Sequence, residues 1–530
     1  MLRSPTEHAL QPTSKATRLA LLLTFSSQYS AAYAPRKQGP GPARPSTSRR
    51  GAHAVAVNPT TNFFTSCPPG ASQRTKPVGF DEEPCTLSLE DGYGYAKVDI
   101  GQRWGPQDEY EIMRKLGWGM YATTWLVYNH KTKKYHAMKI VNEYGTFLES
   151  NEAISRAHPQ FHELDILQRI SSPLRPTGRG VKQCLRLVDS FYTSRGTAQY
   201  LCLVMEVGGM DLSSLQSQIG VNYALPPELV KSIVKQLCIA LDYMHSECKV
   251  VHTDLKPGNI LLGLKSREAR QLVKTALRDH PPEKYPPRKV MGETFEALKS
   301  QPLPLPPFED TDEMHSWRFK IADYGSAQWL GRRSTNIVQP IRLRAPEVLW
   351  GERWDEKVDV WALGCLTYEF LTGTSLFKLD KSLSFSEDIY ISRQQLALLT
   401  QSGDFPDSDY FNRSSKGDFL KTTADGLTYP KPLAAALRTR RKAPINTPDT
   451  TKEERELALA FIARCLTIDP KQRASAKELL RHPWVRGLKA PAPRRKRASS
   501  NVPSTSSAQT LGVSQSVDKF NVYSRTFSTI

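Results

Sequence analysis

"VVHTDLKPGNILL", running from Val250 to Leu262, is the stretch on which the reading of this chain turns. Its two ends are apolar and read as buried strand, yet Asp254, Lys256 and Asn259 interrupt it at spacings of two and five. An acid, a base and an amide inside an apolar frame cost free energy unless each has a partner. A polar turn capping a strand would explain the Asp and Asn through local backbone bonds. It would not explain why all three residue types are needed together.

The sequence on either side narrows the choice. Downstream, "KIADYGSA" supplies Asp323-Tyr324-Gly325, "RAPEVLWG" supplies Ala345-Pro346-Glu347, and "VDVWALGC" supplies Asp359, Trp361 and Gly364. In "IDPKQRASAKELLRHPW", Arg473 is the expected buried partner of Glu347. Upstream, "LGWGMYATTW" joins two strand-like runs, and Gly117 and Gly119 would let backbone approach phosphate oxygens with no Cβ in the way. Two spaced glycines alone signal only a turn. Here Lys139 follows in the strand-like "YHAMKI", where its charge needs a counter-ion, and Glu163 on the next helical stretch is the natural one. In this order the set matches a phosphoryl-transfer site. Asp254 would take or orient the proton of an attacking hydroxyl and Lys256 would neutralise the transferred phosphoryl. Asn259 and Asp323 would bind magnesium, and Lys139 would hold the nucleotide phosphates.

Composition is consistent with an enzyme carrying polar tails. The formal charge of +19 over 530 residues is uneven: residues 1–80 carry +9, residues 487–530 carry +6 and the middle only +4. The basic character therefore belongs to the tails, which argues against a nucleic-acid-binding fold. The eight cysteines include no C-x-x-C pair, so neither a zinc site nor a disulfide framework is expected. No apolar run reaches membrane-spanning length. "LALLLTF" (Leu19–Phe25), in an Arg-rich, acid-poor flank, leaves a mitochondrial or secretory targeting segment open beside a plain disordered tail.

Along the chain, 1–90 reads as a disordered basic tail and strand patterns begin near "GYGYAKVDIGQRW". Strands are expected at "EYEIMRKLG", "TTWLVYN", "KYHAMKIV", "CLRLVDSFY" and "YLCLVMEV". Helices are expected at "HPQFHELDILQRI", "PELVKSIVKQLCIALDYMHSE", "KVDVWALGCLTYEFLTG" and "ERELALAFIARCLTI". A sheet-rich part followed by a helix-rich part is an α+β, two-lobed layout. Residues 265–316 read as an insertion with one helix, "SREARQLVKTALRD", and proline-rich flanks; it is expected to be flexible and removable. Residues 487–530 form a second basic tail, whose "RRKR" (Arg494–Arg497) is a candidate nuclear import signal.

From about Tyr93 to Trp484 the chain resembles eukaryotic protein kinases, and among them the SR-protein kinases. The resemblance is carried by "RKLGWGMYATTWLV", "MEVGGMDL", "HTDLKPGNILL" with Thr253 in that family's place, "KIADYGSAQW", the insertion, "KGDFLKTTADGL" and "RHPW". It implies a β-rich N-lobe over 91–206 and an α-rich C-lobe over 207–486. It also implies ATP and magnesium as cofactors, and Leu116, Gly117, Trp118, Gly119, Thr124, Lys139 and Glu163 around the nucleotide. Met205 becomes the gatekeeper, with the carbonyl of Glu206 and the amide of Gly208 against adenine. Protein substrates are implied, Arg/Ser-rich splicing-type proteins among them. The enzyme would be a monomer in cytoplasm and nucleus, with no direct nucleic-acid or membrane partner.

Two departures carry weight. Many kinases have arginine where this chain has Thr253, and that arginine pairs with a phosphorylated activation loop. Threonine cannot form the charge-assisted bidentate contact, so independence of such phosphorylation is expected. Before Ala345 the chain reads "PIRLR", with Pro340, Ile341 and Leu343 replacing the usual residues, which puts substrate preference in doubt. Two rivals are a pseudokinase serving as scaffold or nucleotide sensor, and a kinase-fold enzyme acting on small molecules. The first would be expected to lack some of Lys139, Glu163, Asp254, Lys256, Asn259 and Asp323, and the second the Ala345–Glu347 and Asp359–Gly364 elements.

Overall fold

Alternating apolar and polar residues build the first half of the structure into one antiparallel sheet. Its strands are β1 (Arg103–Trp104), β2 (Tyr110–Gly119), β3 (Ala122–Asn129), β4 (Lys134–Val141), β5 (Leu187–Arg195) and β6 (Ala198–Met205), in the order β1-β2-β3-β4-β6-β5. The computed structural model describes residues 82–486 other than 85–86, 152–161, 173–179, 291–292, 309–313, 315, 333–334, 380–386, 403–432, 434–436, 438–443 and 447–449. Residues 1–81 of the expected N-terminal tail, the expected C-terminal tail with its "RRKR", and "KGDFLKTTADGL" fall outside the described residues. The end of the expected N-terminal tail is corrected: Glu82 is buried and bonds Lys115 and Ser300, so the ordered structure begins before residue 90.

Because side chains alternate across a strand, the sheet serves two interiors. Tyr110, Ile112, Trp125, Met138, Cys202 and Val204 pack together on one side. Val141, Leu201, Leu203 and Met205 face the other side and join the main core. Between β4 and β5 lie helix α1 (Glu143–Ser150) and helix α2 (Glu163–Ser171). The second buries Ile166, Leu167 and Ile170, as its periodicity predicts. The first carries Gly145 in its middle, which hides it from a periodicity argument. It forms because Asn142 caps it, the side-chain oxygen accepting from the Gly145 amide at 2.8 Å.

Helices dominate after β7 (Gly208–Asp211): α3 (Leu212–Ile219) and α4 (Pro227–Asp242) precede the quoted stretch. That stretch contains β8 (Val250–Val251), a 3-10 turn over Pro257–Asn259 and β9 (Ile260–Gly263). The polar residues therefore sit on the loop between two short strands. Helix α5 (Ser266–Asp279) lies where "SREARQLVKTALRD" predicts it, and a hairpin pairs β10 (Arg288–Val290) with β11 (Glu293–Phe295). Strand β12 (Arg318–Ile321) pairs with β9, and β13 (Gln328–Trp329) with β8. Helices α6 (Lys357–Thr372), α7 (Glu387–Ser402) and α8 (Lys452–Cys465) follow. The fold is α+β, an antiparallel sheet followed by a helix-rich region. No described helix is long and apolar enough to cross a membrane.

The insertion departs from expectation. Its described residues do not hang free: Leu272, Val273, Ala276 and Leu303 form a small core with Leu126 of β3 and Val207. Arg114, 1% exposed, donates to the carbonyls of Ala276 (2.8 Å) and His280 at the C-terminal end of α5. Lys115, also 1% exposed, bonds Glu82 (2.8 Å), Glu83 and the carbonyl of Leu298. Proline content misled because the segment borrows its core from the sheet instead of building one. Deleting it would strand the buried Arg114, whereas Lys115 would keep Glu82 and Glu83; the described part of the insertion is thus packed where a flexible segment was expected.

Candidate active site

Sheet register gathers the first half of the site. Gly117 lies opposite Thr124, Thr124 opposite Lys139, and Lys139 opposite Leu203. Residues directly opposite share a face, so these four form one row across the sheet. Leu126, Ala137 and Met205 form the next row on that face. Trp118 pairs with Thr123 and so points its side chain to the other face, which leaves only its backbone near the row. Leu116 packs against the small core that contains Leu126 and Val207. Gly119 ends β2, opposite Ala122. Neither Gly117 nor Gly119 has a left-handed backbone, and a Cβ built at either would meet no atom within 4 Å. Protein packing does not demand these glycines, whereas the close approach of a ligand would.

Lys139 is the centre of this half. Its Nζ lies 2.8 Å from both carboxylate oxygens of Glu163 on α2 and 3.0 Å from Asp323 Oδ1. Burial works against the ammonium charge, but Asp323 and Glu163 together hold its pKa above the ordinary lysine value. Lys139 in turn lowers the Asp323 carboxyl to about 2, so it is ionised at any physiological pH. Tyr324 is buried behind Asp323, and its hydroxyl donates to the carbonyl of Ile321 at 2.7 Å. The phenol thus finds the partner that a buried hydroxyl requires.

The second half sits on the loop between β8 and β9. Asp254 Oδ2 accepts from Lys256 Nζ at 2.8 Å and from Asn259 Nδ2 at 3.0 Å. Asn259 Nδ2 also donates to the Asp254 carbonyl at 2.8 Å. With its nitrogen engaged there, Asn259 keeps its amide oxygen as an acceptor. The Ala322 amide donates to the Asn259 carbonyl at 2.9 Å, which places this loop beside Asp323. Asp359, fully buried on α6, anchors the loop from below by accepting from the amides of His252 (2.8 Å) and Thr253 (2.9 Å) and from His245 (2.8 Å).

Thr253 itself has φ 65°, a left-handed backbone that is rare for a β-branched residue. Strain of this kind costs about 1–3 kcal/mol and persists only where the surroundings impose it. Here the amide is held by Asp359, and the hydroxyl donates to the carbonyl of Ser326 at 2.6 Å. Farther on, Glu347 and Arg473 form the expected buried bidentate pair at 2.6 and 2.8 Å.

Along the connection between β6 and β7, Met205 is buried, and the Glu206 carboxylate accepts from Lys320 Nζ (2.8 Å) and the Arg186 amide (3.1 Å). A Cβ at Gly208 would meet Leu261 Cδ1 at 2.6 Å and its Cβ at 3.3 Å, so Leu261 would have to shift to admit a side chain there. The Lys320–Glu206 pair was not legible in sequence, since the two are joined only by the sheet around β9. Nor was Glu149 of α1, whose Oε1 accepts from the Leu164 amide at 2.8 Å and so caps α2.

Burial pushes the Glu149 carboxyl up to about 7, with Glu163 and Asp165 adding to the rise against the amide bonds that lower it. A carboxyl whose folded pKa exceeds its unfolded one contributes stability at low pH that is lost as pH rises through the folded value. Glu149→Gln keeps the acceptor and removes the charge. It is therefore expected to melt with wild type near pH 4, below the unfolded value, and several degrees higher than wild type at pH 8. Parallel melting curves across that range would refute the assignment.

The protein kinase domain model matches residues 110–277 and 308–485, leaving out the central part of the insertion. The serine/threonine-protein kinase SRPK of Physarum polycephalum is 30% identical over 410 residues, covering 74% of this chain and 89% of that protein. Protein kinase dsk1 of Schizosaccharomyces pombe is 26% identical over 75% of this chain and 84% of its own length. SRSF protein kinase 3 of Mus musculus is 24% identical over 74% and 88%.

Proposed function

The chain belongs to the protein kinase family and is a serine/threonine kinase similar to SRPK kinases; from that premise we propose how its residues divide the reaction. Asp254 is the catalytic base. Its Oδ2 is held by Lys256 and Asn259, which leaves Oδ1 to take the proton of a substrate serine or threonine hydroxyl. The hydroxyl oxygen then bonds the γ-phosphorus of ATP as the bond to the bridging oxygen breaks. Lys256 stabilises charge on the transferred group, and Lys139, held by Glu163, positions the remaining phosphates. The observation that carries this reading is the junction of the two polar clusters, where Ala322 and Asn259 are bonded backbone to backbone.

The donor set beside that junction, the ionised Asp323 carboxylate and the free amide oxygen of Asn259, is hard and oxygen-only, as magnesium prefers. When bound, the ion would offset negative charge on the phosphate oxygens. The lobes we assign are 91–206 and 207–486, with the hinge residues Met205, Glu206 and Gly208 receiving adenine.

We further propose that activity does not depend on activation-loop phosphorylation. The described residues of the segment after Asp323 are held by bonds to the protein around them. β13 pairs with β8, Thr253 bonds Ser326, and Gln339 bonds Val358 (2.8 Å) and Ala345 (2.9 Å). Arg/Ser-rich substrates are supported by the similarity to SRPK kinases. Residence in cytoplasm and nucleus rests on the same similarity, with a mitochondrial segment at residues 1–50 as the alternative.

The test is phosphate transfer from ATP by the purified full chain to a degenerate Ser/Thr peptide library that includes Arg/Ser repeats. Phosphatase-treated enzyme is expected to keep its full rate. A drop of about ten-fold, 1.4 kcal/mol in barrier, would sink the independence claim. Absence of transfer to every peptide would favour the scaffold reading.

A further inference from the structure

The tip of the Gly-rich hairpin is held from behind by residues that precede the sheet. Tyr95, 6% exposed, shares its single hydroxyl proton between the carbonyls of Gly119 (2.8 Å) and Met120 (2.6 Å). Asn142 adds two bonds, from its side-chain amide to the Met120 carbonyl (3.3 Å) and from its backbone amide to the Tyr121 carbonyl (2.7 Å). Three successive carbonyls of the tip are therefore drawn to one side. A trans peptide holds its C=O and N–H antiparallel, so the N–H groups of Met120 and Tyr121 are turned to the opposite side. Successive backbone N–H groups aimed at one space make an anion site.

The brace is itself fixed. Gly94 has φ 79°, and a Cβ there would meet Glu143 Cβ at 2.9 Å. The Glu143 amide donates to the Gly94 carbonyl (2.9 Å) and the Tyr144 amide to the Tyr93 carbonyl (3.1 Å), which locks the segment to the start of α1. The same helix caps α2 through Glu149, so one element reaches both the hairpin tip and the helix bearing Glu163.

We propose that Tyr95 is a positioning residue that orients the hairpin amides toward the ATP phosphates. This rests on the kinase reading above. Tyr95→Phe removes only the hydroxyl. In the full chain it is expected to raise KM for ATP and Kd for ADP about five- to ten-fold, the size of one hydrogen bond's net contribution. Adenosine has no phosphate, so its Kd should be unchanged, as should KM for the peptide. Amide hydrogen exchange in the peptide spanning Gly117–Ala122 should also accelerate without nucleotide, which tests the tether even if turnover is lost. Equal loss of ADP and adenosine affinity would overturn the proposal, as would wild-type ADP affinity or unchanged exchange. Failure of the wild-type chain to bind ATP or transfer phosphate would instead overturn the kinase reading.

Discussion

Asp254→Asn is expected to lower kcat for phosphotransfer by roughly 10²–10⁴-fold, the usual worth of a positioned general base, with ATP affinity nearly unchanged. The amide matches the carboxylate in shape, and its oxygen can still accept from Lys256, which lies 2.8 Å away. What it cannot do is take a proton from the attacking hydroxyl. The nucleotide should not sense the change, because Lys139, Glu163 and Asp323 form a separate cluster. Lys139→Met is the contrasting variant, expected to weaken productive ATP positioning. Kinetics with varied ATP and varied peptide separate the two effects. Near-normal turnover by Asp254→Asn would mean another base, and loss of ATP binding would mean a structural role.

Arg473→Met is expected to destabilise the protein by about 3–5 kcal/mol, the cost of leaving a buried charge without its partner. Arg473 and Glu347 are both fully buried. The guanidinium also donates to the carbonyls of Thr467 (2.8 Å), Lys357 (2.9 Å) and Ile468 (2.9 Å) and lies 5.1 Å over the Trp361 ring. Methionine fills much of the volume but satisfies none of these acceptors. Urea unfolding of the variant measures the loss. The double variant with Glu347→Gln should lose less than the sum of the two single changes, because it no longer buries a lone carboxylate. A loss under about 1 kcal/mol for Arg473→Met would contradict this account of the pair.

Residues whose partners are announced by charge in an apolar frame were legible in sequence. Lys139 needs a counter-ion wherever it is buried, and Glu163 was the nearest acid on a helical face. Glu347 and Arg473 could be matched for the same reason. Strands with clean alternation were equally readable: "KYHAMKIV" is β4 from end to end. What stayed hidden depends on contacts that leave no local trace. Nothing near Arg114–Lys115 in sequence reveals that α5 and Glu82 cover them. Helix α1 is concealed by Gly145, whose added Cβ would meet Val141 at 2.8 Å, so tertiary packing overrides helix propensity there. Tyr95 gives no signal at all, since a buried tyrosine in a strand-like run is ordinary core until its hydroxyl is followed to the hairpin.

The two buried cations of β2 also set an order of events during synthesis. The carbonyl that Arg114 bonds on Ala276 lies 162 residues downstream, and the one that Lys115 bonds on Leu298 lies 183 downstream. A ribosome adding about 5–20 residues per second needs roughly 8–30 s to cover the first of these distances. Throughout that interval the nascent β2–β4 hairpins carry a guanidinium with no carbonyl to receive it. The sheet, though encoded first, cannot reach its final form before residues beyond 276 have left the exit tunnel. Slowing translation between residues 130 and 276 should therefore lengthen the exposure of the nascent sheet to chaperones, whereas slowing it only once the insertion has left the tunnel should not.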